Sequence, residues 1–196
     1  MIRVITISRQ LGSGGAYIGT QVAQRLGMQY VDKEIIHRMA AETGLPFERL
    51  EETDESDMGP LSPRRRAPDG RRDAEILEAV IKEFARQGNV VLMGRGGTCI
   101  LQNRAHTLHV RIVAPLEDRI RRLMERSSVS YEVAARAIHE SDKNRAAFHR
   151  HFFAHDWSDS ALYHLILNTG LIPPDKAVEC ILEASQQIAA ERSPER

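Results

Sequence analysis

The hydrophobic positions change period repeatedly along the chain, and the changes divide it into elements. Arg3–Ile7 (RVITI) is a short β-rich run, and Ser8–Gly15 (SRQLGSGG) is a glycine loop. In Ala16–Leu26 the residues Ile18, Val22 and Leu26 recur every four positions with Ala23 beside them, one apolar helix stripe. Gly27 suits its C-cap. Gln29–Val31 reads as a short strand, Asp32 as the N-cap of a helix through Met39, and Leu45–Leu50 as a further turn. Leu77, Val80, Ile81 and Phe84 stand at i, i+3, i+4, i+7 and predict a helix over Ala74–Gln87, stopped by Gly88. Asn89–Met93 (NVVLM) reads as a buried strand leading into a second glycine turn, Gly94–Gly97. Thr107–Val113 is a strand. Pro115 then opens a helix with Leu116, Ile120 and Leu123 facing inward. Ser130–Arg150 reads as a polar helix and Leu162–Leu167 as the last strand. Pro174 begins a terminal helix carrying Val178, Ile181, Leu182 and Ile188.

Strands thus alternate with helices, and most strands are unbroken apolar runs. This predicts an α/β fold whose parallel sheet of about five strands is covered on both faces. Ligands of such sheets sit beyond the carboxyl ends of the strands, where both glycine turns lie. The expected organisation is a single domain over 1–190, with a frayed tail at 191–196. Thr53–Arg72 stands apart: three prolines, two glycines and five arginines with few apolar residues predict a mobile loop.

Composition narrows the picture little. The 196 residues carry a formal net charge of zero, which argues against a nucleic-acid polymer as partner. Arginines do cluster locally, at Arg64–Arg66 with Arg71 and Arg72, and at Arg119, Arg121, Arg122 and Arg126. No apolar run reaches the roughly 18 residues of a membrane helix, and MIRVITISRQ lacks the form of a signal peptide, so a cytoplasmic protein is expected. Cys99 and Cys180 share no metal-ligand spacing and read as reduced thiols. His149, His151, His155 and Asp156 match no known zinc motif.

A glycine loop between strand and helix lets several backbone N–H groups turn toward one anion, and the helix N-terminus adds partial positive charge. Gly12-Ser13-Gly14-Gly15 has that place and composition. The strict phosphate-loop pattern asks for glycine at 9 and 14, lysine at 15 and serine or threonine at 16. The chain has Arg9, Gly14, Gly15 and Ala16, so only Gly14 fits. Phosphate loop and tight strand-to-helix turn both remain open on the pattern alone. The missing ammonium normally follows the charge of a transferring phosphoryl group. Arg9 and Lys33 are the candidates to replace it.

Four stretches together resemble the cytidylate kinase-like branch of the nucleoside monophosphate kinases. They are ITISRQLGSGGAYIGTQVAQRLGMQYVDKEIIHR, VVLMGRGGTCILQNRAHTLHVRIVAPLEDRIRRL, and DKNRAAFHRHFF with LYHLILNTGLIPPDKAVECI. The resemblance runs in order over almost the whole chain except 53–72. It implies a three-layer P-loop kinase domain with a helical lid at 128–156, ATP and Mg²⁺ as cofactors, and CMP or dCMP as acceptor.

By resemblance, Gly12, Ser13, Gly14, Gly15 and Ala16 wrap the donor phosphates. Arg119 and Arg122 lie near the donor nucleotide. Asp32, Arg38, Gly94 and Arg95 belong to the acceptor side, and Asp142 and Arg145 match the Asp-x-x-Arg of the lid. Arg9, Arg95 and Arg145 are the expected catalytic cations. Simpler roles fit several of these residues as well: a helix cap for Asp32, a solvated face for Arg119 and Arg122, an i,i+3 pair for Asp142 with Arg145.

The chain departs from the family at four places. Gly15 replaces the loop lysine, and Gly96 replaces the aspartate of Gly-Arg-Asp. Ile138 and His139 stand where the lid has Arg-Asp, and 53–72 is unlike the usual acceptor region. The leading expectation is a nucleoside monophosphate kinase acting from ATP on CMP or dCMP, as a monomer or homodimer with no membrane partner. The alternatives are a nucleotide-binding regulatory protein without turnover, and a kinase for another small acceptor.

Overall fold

A computed structural model of the chain describes residues 2–32 and 70–191. The expected helix from Asp32 through Met39, the turn at 45–50, Lys33, Arg38 and most of the 53–72 segment lie outside the described residues.

The elements alternate as the periodicity predicts: β1 (Val4–Arg9), α1 (Gly15–Leu26), β2 (Gln29–Val31), α2 (Gly70–Gln87), β3 (Val90–Met93) and a short α3 (Gly97–Ile100). They continue with β4 (Thr107–Val113), α4 (Leu116–Ser127), α5 (Tyr131–Phe153), a 3-10 turn (Ser160–Leu162), β5 (Leu165–Asn168) and α6 (Pro174–Glu191). The five strands form one sheet in the order β2-β3-β1-β4-β5, every neighbouring pair parallel. Among the described residues no helix is long and apolar enough to cross a membrane.

Alternation along the strands assigns the two faces. Ile5, Ile7, Val91, Met93, Leu108, Val110 and Ile112 face α1 and α6, which contribute Ile18, Val22, Val178 and Ile181. On the opposite face Val4, Val90 and Leu92 meet α2 through Leu77, Val80, Ile81 and Phe84, and α5 through Phe148. Helices therefore cover both faces, giving three layers. Each fully buried Ile or Phe contributes roughly 1.5–3 kcal/mol. A separate small cluster joins α4 to α5 through Ile120, Leu123, Ala134 and Ile138.

The structure corrects several expectations. Helix α2 starts at Gly70, so the last three residues of the expected mobile loop are helical. Its first turn is polar, which hides it from a reading based on apolar spacing. The final strand starts at Leu165 rather than Leu162, because Ser160–Leu162 winds into a 3-10 turn capped by the Asp159 carboxylate. Leu116 does not face inward: it is 49% exposed, and Arg119 takes the buried position beside Ile120.

One strand face is not apolar. On β4, His109 and Arg111 point to the α5 side of the sheet and are 1% and 6% exposed. His109 Nδ1 lies 2.7 Å from the Thr6 hydroxyl, which itself lies 3.0 Å from that of Thr98. Burial pushes the His109 pKa down to about 4, the nearby His164 adds to the effect, and the carbonyls of Leu101 and Gln102 pull the other way. The folded protein therefore holds this ring neutral, while the unfolded chain takes up a proton below about pH 6.5. Stability is full above that pH and falls as the pH drops toward 4, by about 3 kcal/mol in all. Urea unfolding at a series of pH values should show this limb, and His109→Asn should flatten it. An unchanged slope in the variant would assign the limb to other groups.

Candidate active site

The sheet brings the two glycine turns together. β1 and β3 are neighbours in register, Ile7 opposite Met93, and the Gly94 N–H donates to the Ile7 carbonyl at 3.0 Å. The loop after β1 and the loop after β3 therefore leave the same end of adjacent strands, the expected ligand edge of such a sheet.

The first loop is built to expose amides. Gly12 and Gly14 have φ of +81° and +79°, in the left-handed region. A Cβ on Gly12 would stand 2.7 Å from the Arg119 carbonyl oxygen, so the loop lies directly on α4. The Ser13 hydroxyl is fully buried and donates to the Gln10 carbonyl at 2.8 Å. Ser13 thus offers a ligand its backbone and not its side chain. Thr169 donates to the Ser13 carbonyl at 2.8 Å, and Arg122 donates to Thr169 at 3.1 Å (Oγ1) and 2.7 Å (carbonyl). These bonds tie the loop to the end of β5. Helix α1 then begins behind Gly14, with no side chain capping it. Its first N–H groups are the unpaired donors that an anion satisfies.

A cavity of about 330 Å³ opens over this loop. Its walls include Arg9, Gln10, Gly12, Gly14, Gly15, Ala16 and Tyr17 from the β1–α1 region, Arg122 and Arg126 from α4, and Arg145 from α5. A smaller space, about 10 Å³, lies beside it at the end of β3. Ser8, Gly94, Gly96, Gly97, Thr98, His149 and Trp157 line it, again with Arg9 and Arg145. These two arginines therefore border both spaces.

Other expected site residues fall as follows. Arg95 is 3% exposed and adopts φ +56°, a conformation that costs a non-glycine residue roughly 1–2 kcal/mol. The second space is lined by its neighbours Gly94 and Gly96. Asp32, at the end of β2, lines neither space. Arg119 and Asp142 meet each other: Arg119 donates to the Asp142 carboxylate at 2.7 Å, with side chains 7% and 24% exposed. This pair locks α4 to α5. Asp142 and Arg145, three residues apart, diverge in role, because Asp142 turns to α4 while Arg145 reaches the cavities and donates to Ser141 at 2.7 Å.

Sequence reading missed the cluster behind the second space. Trp157 donates its indole N–H to Ser8 at 2.7 Å, and Arg111 lies 4.2 Å over the Trp157 ring while donating to its carbonyl. A charged residue inside the apolar run of β4 was the available signal. His149 is 3% exposed, with Nδ1 3.4 Å from the Cys99 sulfur. Burial pushes the Cys99 thiol up to about 12, so it stays protonated and is no nucleophile. Among the described residues, no group of three or more His, Cys, Asp or Glu side chains could hold a metal ion.

Comparisons with known proteins fit this geometry. A profile of the cytidylate kinase-like family matches residues 4–171. A cytidylate kinase of Ignicoccus hospitalis is 28% identical over 182 residues, covering 91% of this chain and 96% of that protein. One of Pyrococcus horikoshii is 30% identical over 173 residues, covering 88% and 82%. Among solved structures, an uncharacterised protein from Eubacterium ventriosum superposes with a TM-score of 0.73 at 22% identity, covering 95% and 99% of the two chains. Shikimate kinase from Acinetobacter baumannii superposes with 0.53 at 17% identity, covering 98% and 96%. These two likenesses show the same three-layer α/β fold.

Proposed function

The chain belongs to the cytidylate kinase-like family, and on that premise we propose that it transfers the terminal phosphoryl group of MgATP to a nucleoside monophosphate, CMP or dCMP first among them. The observation that carries this reading is the shared wall. The cavity over the phosphate loop and the space beyond β3 are both bordered by Arg9 and Arg145. Arg9 and Arg145 thus stand between the cavity over the phosphate loop and the Gly94–Gly97 turn.

In this reading the loop amides of Gly12 to Ala16 and the N-terminus of α1 bind the donor phosphates, and Arg122 and Arg126 flank them. The acceptor monophosphate lies toward Gly94–Gly97, the loop that carries Arg95. The acceptor phosphate oxygen forms a bond to the γ-phosphorus. The bond from that phosphorus to the β,γ-bridging oxygen breaks, and its electron pair leaves with ADP. A dianionic acceptor has no proton to lose, so no general base is required. The protein's contribution is alignment and charge neutralisation. Mg²⁺ enters as part of the MgATP substrate, held mainly by the phosphates, since Ala16 carries no hydroxyl to offer it. Helix α5 and its surroundings, 128–156, act as the lid that excludes water.

A kinase for a different small acceptor is the second reading. Gly96 stands where an aspartate is expected, and the Phe153 ring occupies the space its side chain would need, 2.1 Å from a built Cβ. An acceptor series separates the two. Purified protein with MgATP is given CMP, dCMP, UMP, AMP, shikimate or no acceptor, and nucleoside diphosphate and ADP are quantified. Product with CMP or dCMP supports the first reading. ADP release with shikimate alone moves the acceptor elsewhere, and tight ATP binding without any product marks a regulatory binder.

A further inference from the structure

The general phosphate-loop pattern places glycine at the strand's last residue and lysine at the helix's first, six positions later. Here those positions hold Arg9 and Gly15, the reverse arrangement. The structure shows why the two differences belong together. A Cβ built on Gly15 would lie 2.5 Å from Arg9 Cβ and 2.9 Å from Arg9 Cγ. Those atoms are the root of the arginine side chain and cannot swing away as a flexible tip would. Any side chain at 15, a lysine included, therefore collides with the Cβ and Cγ of residue 9 while Arg9 is present. Conversely, Arg9 Cβ and Cγ can lie this close to the start of α1 only because residue 15 has no side chain. Both residues line the cavity over the loop, and the root of the arginine side chain lies against the place where a lysine at 15 would begin.

The geometry points to a relocated loop cation: Arg9, anchored on β1, supplies to the donor's β- and γ-phosphates the charge that a helix-borne lysine supplies in the usual pattern, and Gly15 is the cleft that admits it. The exchange is not neutral chemically. A guanidinium is planar and offers a fork of donors, whereas an ammonium is a compact point charge. Arg9 can therefore bridge two phosphate oxygens, and its position on the boundary of both spaces lets it follow the phosphoryl group toward the acceptor. This inference rests on the kinase reading for its chemistry, but its geometry requires only that the loop bind a nucleoside triphosphate.

The test uses three variants of the full chain, Arg9→Ala, Gly15→Lys and the double exchange Arg9→Gly with Gly15→Lys. Calorimetry with MgATP and MgADP is run alongside turnover, and circular dichroism verifies folding. Arg9→Ala should lose about tenfold or more of the preference for ATP over ADP, together with about 10³-fold of turnover. Gly15→Lys alone should weaken ATP binding, because two side chains compete for one space. The double exchange should recover at least tenfold of the preference lost in Arg9→Ala. Unchanged ATP preference in Arg9→Ala, or improved ATP binding by Gly15→Lys with Arg9 in place, would overturn the relocation. The binding readout stands even if no acceptor is turned over. Failure of the kinase reading would appear as absent product with the ATP preference still governed by Arg9.

Discussion

Arg145→Ala is expected to lower turnover by about 10³-fold while leaving ATP affinity within a few-fold, because a cation bordering both spaces acts most where charge is in transit. Arg145 sits on α5 in the turn after Asp142, which the Arg119 guanidinium holds at 2.7 Å. That ion pair fixes the helix register, and a bond to Ser141 steadies the Arg145 guanidinium. The side chain is thus positioned before the substrates arrive, the condition under which an arginine stabilises a phosphoryl transition state without reorganisation. Steady-state kinetics separate the roles. Loss of an interaction made only in the transition state lowers kcat and kcat/KM together, whereas loss of uniform donor binding raises KM alone. A raised KM for ATP at unchanged kcat would reduce Arg145 to a donor-binding residue.

The second large effect concerns stability. Gly96 lies at φ +69°, and a Cβ there would stand 2.1 Å from Phe153 Cε2 and 2.3 Å from Cζ. Gly96→Asp should therefore destabilise the fold by about 2–4 kcal/mol, combining left-handed strain with overpacking. The aromatic ring cannot retreat freely, since it packs against Phe148 at 5.8 Å and His149 at 5.9 Å between centroids. In a Phe153→Ala background the same change should cost only about 1 kcal/mol, the residue of backbone strain. Urea denaturation of the four-member cycle measures the coupling, and additive costs would show that the ring is not the obstacle. The pair makes residue 96 a packing position: the Phe153 ring on α5 fills the space that a side chain there would need.

Much of this fold was legible because its strands are apolar runs and its helices carry clean stripes. Leu77, Val80, Ile81 and Phe84 all pack where their spacing placed them. The glycine loop was recognisable from its place between a strand and a helix, and the structure puts it at the sheet's ligand edge. What the sequence hid were relations between distant residues. The hydrophobic pattern assigned Leu116 to the interior, yet Arg119 is buried there, because an ion pair with Asp142, 23 positions away, offsets its desolvation. Asp142 and Arg145 read as one motif, yet they serve different partners. Trp157 and Tyr163 gave no periodic signal, since they sit in the irregular stretch between α5 and β5. Only the fold brings them onto Arg111 and Ser8. The complementarity of Arg9 with Gly15 was likewise invisible as spacing, because it is a matter of which atoms share a volume.

In the proposed reading, donor and acceptor phosphates meet at Arg9 and Arg145, which border both the loop cavity and the turn after β3. Calorimetric binding of a bisubstrate compound, adenosine and cytidine joined through five phosphates, tests this meeting of the two phosphates. One molecule should bind per chain, at least tenfold tighter than ATP or CMP alone, displaced by either nucleotide and weakened in Arg145→Ala. Binding no tighter than ATP, or displacement by ATP but not by CMP, would show that the two spaces do not form one site.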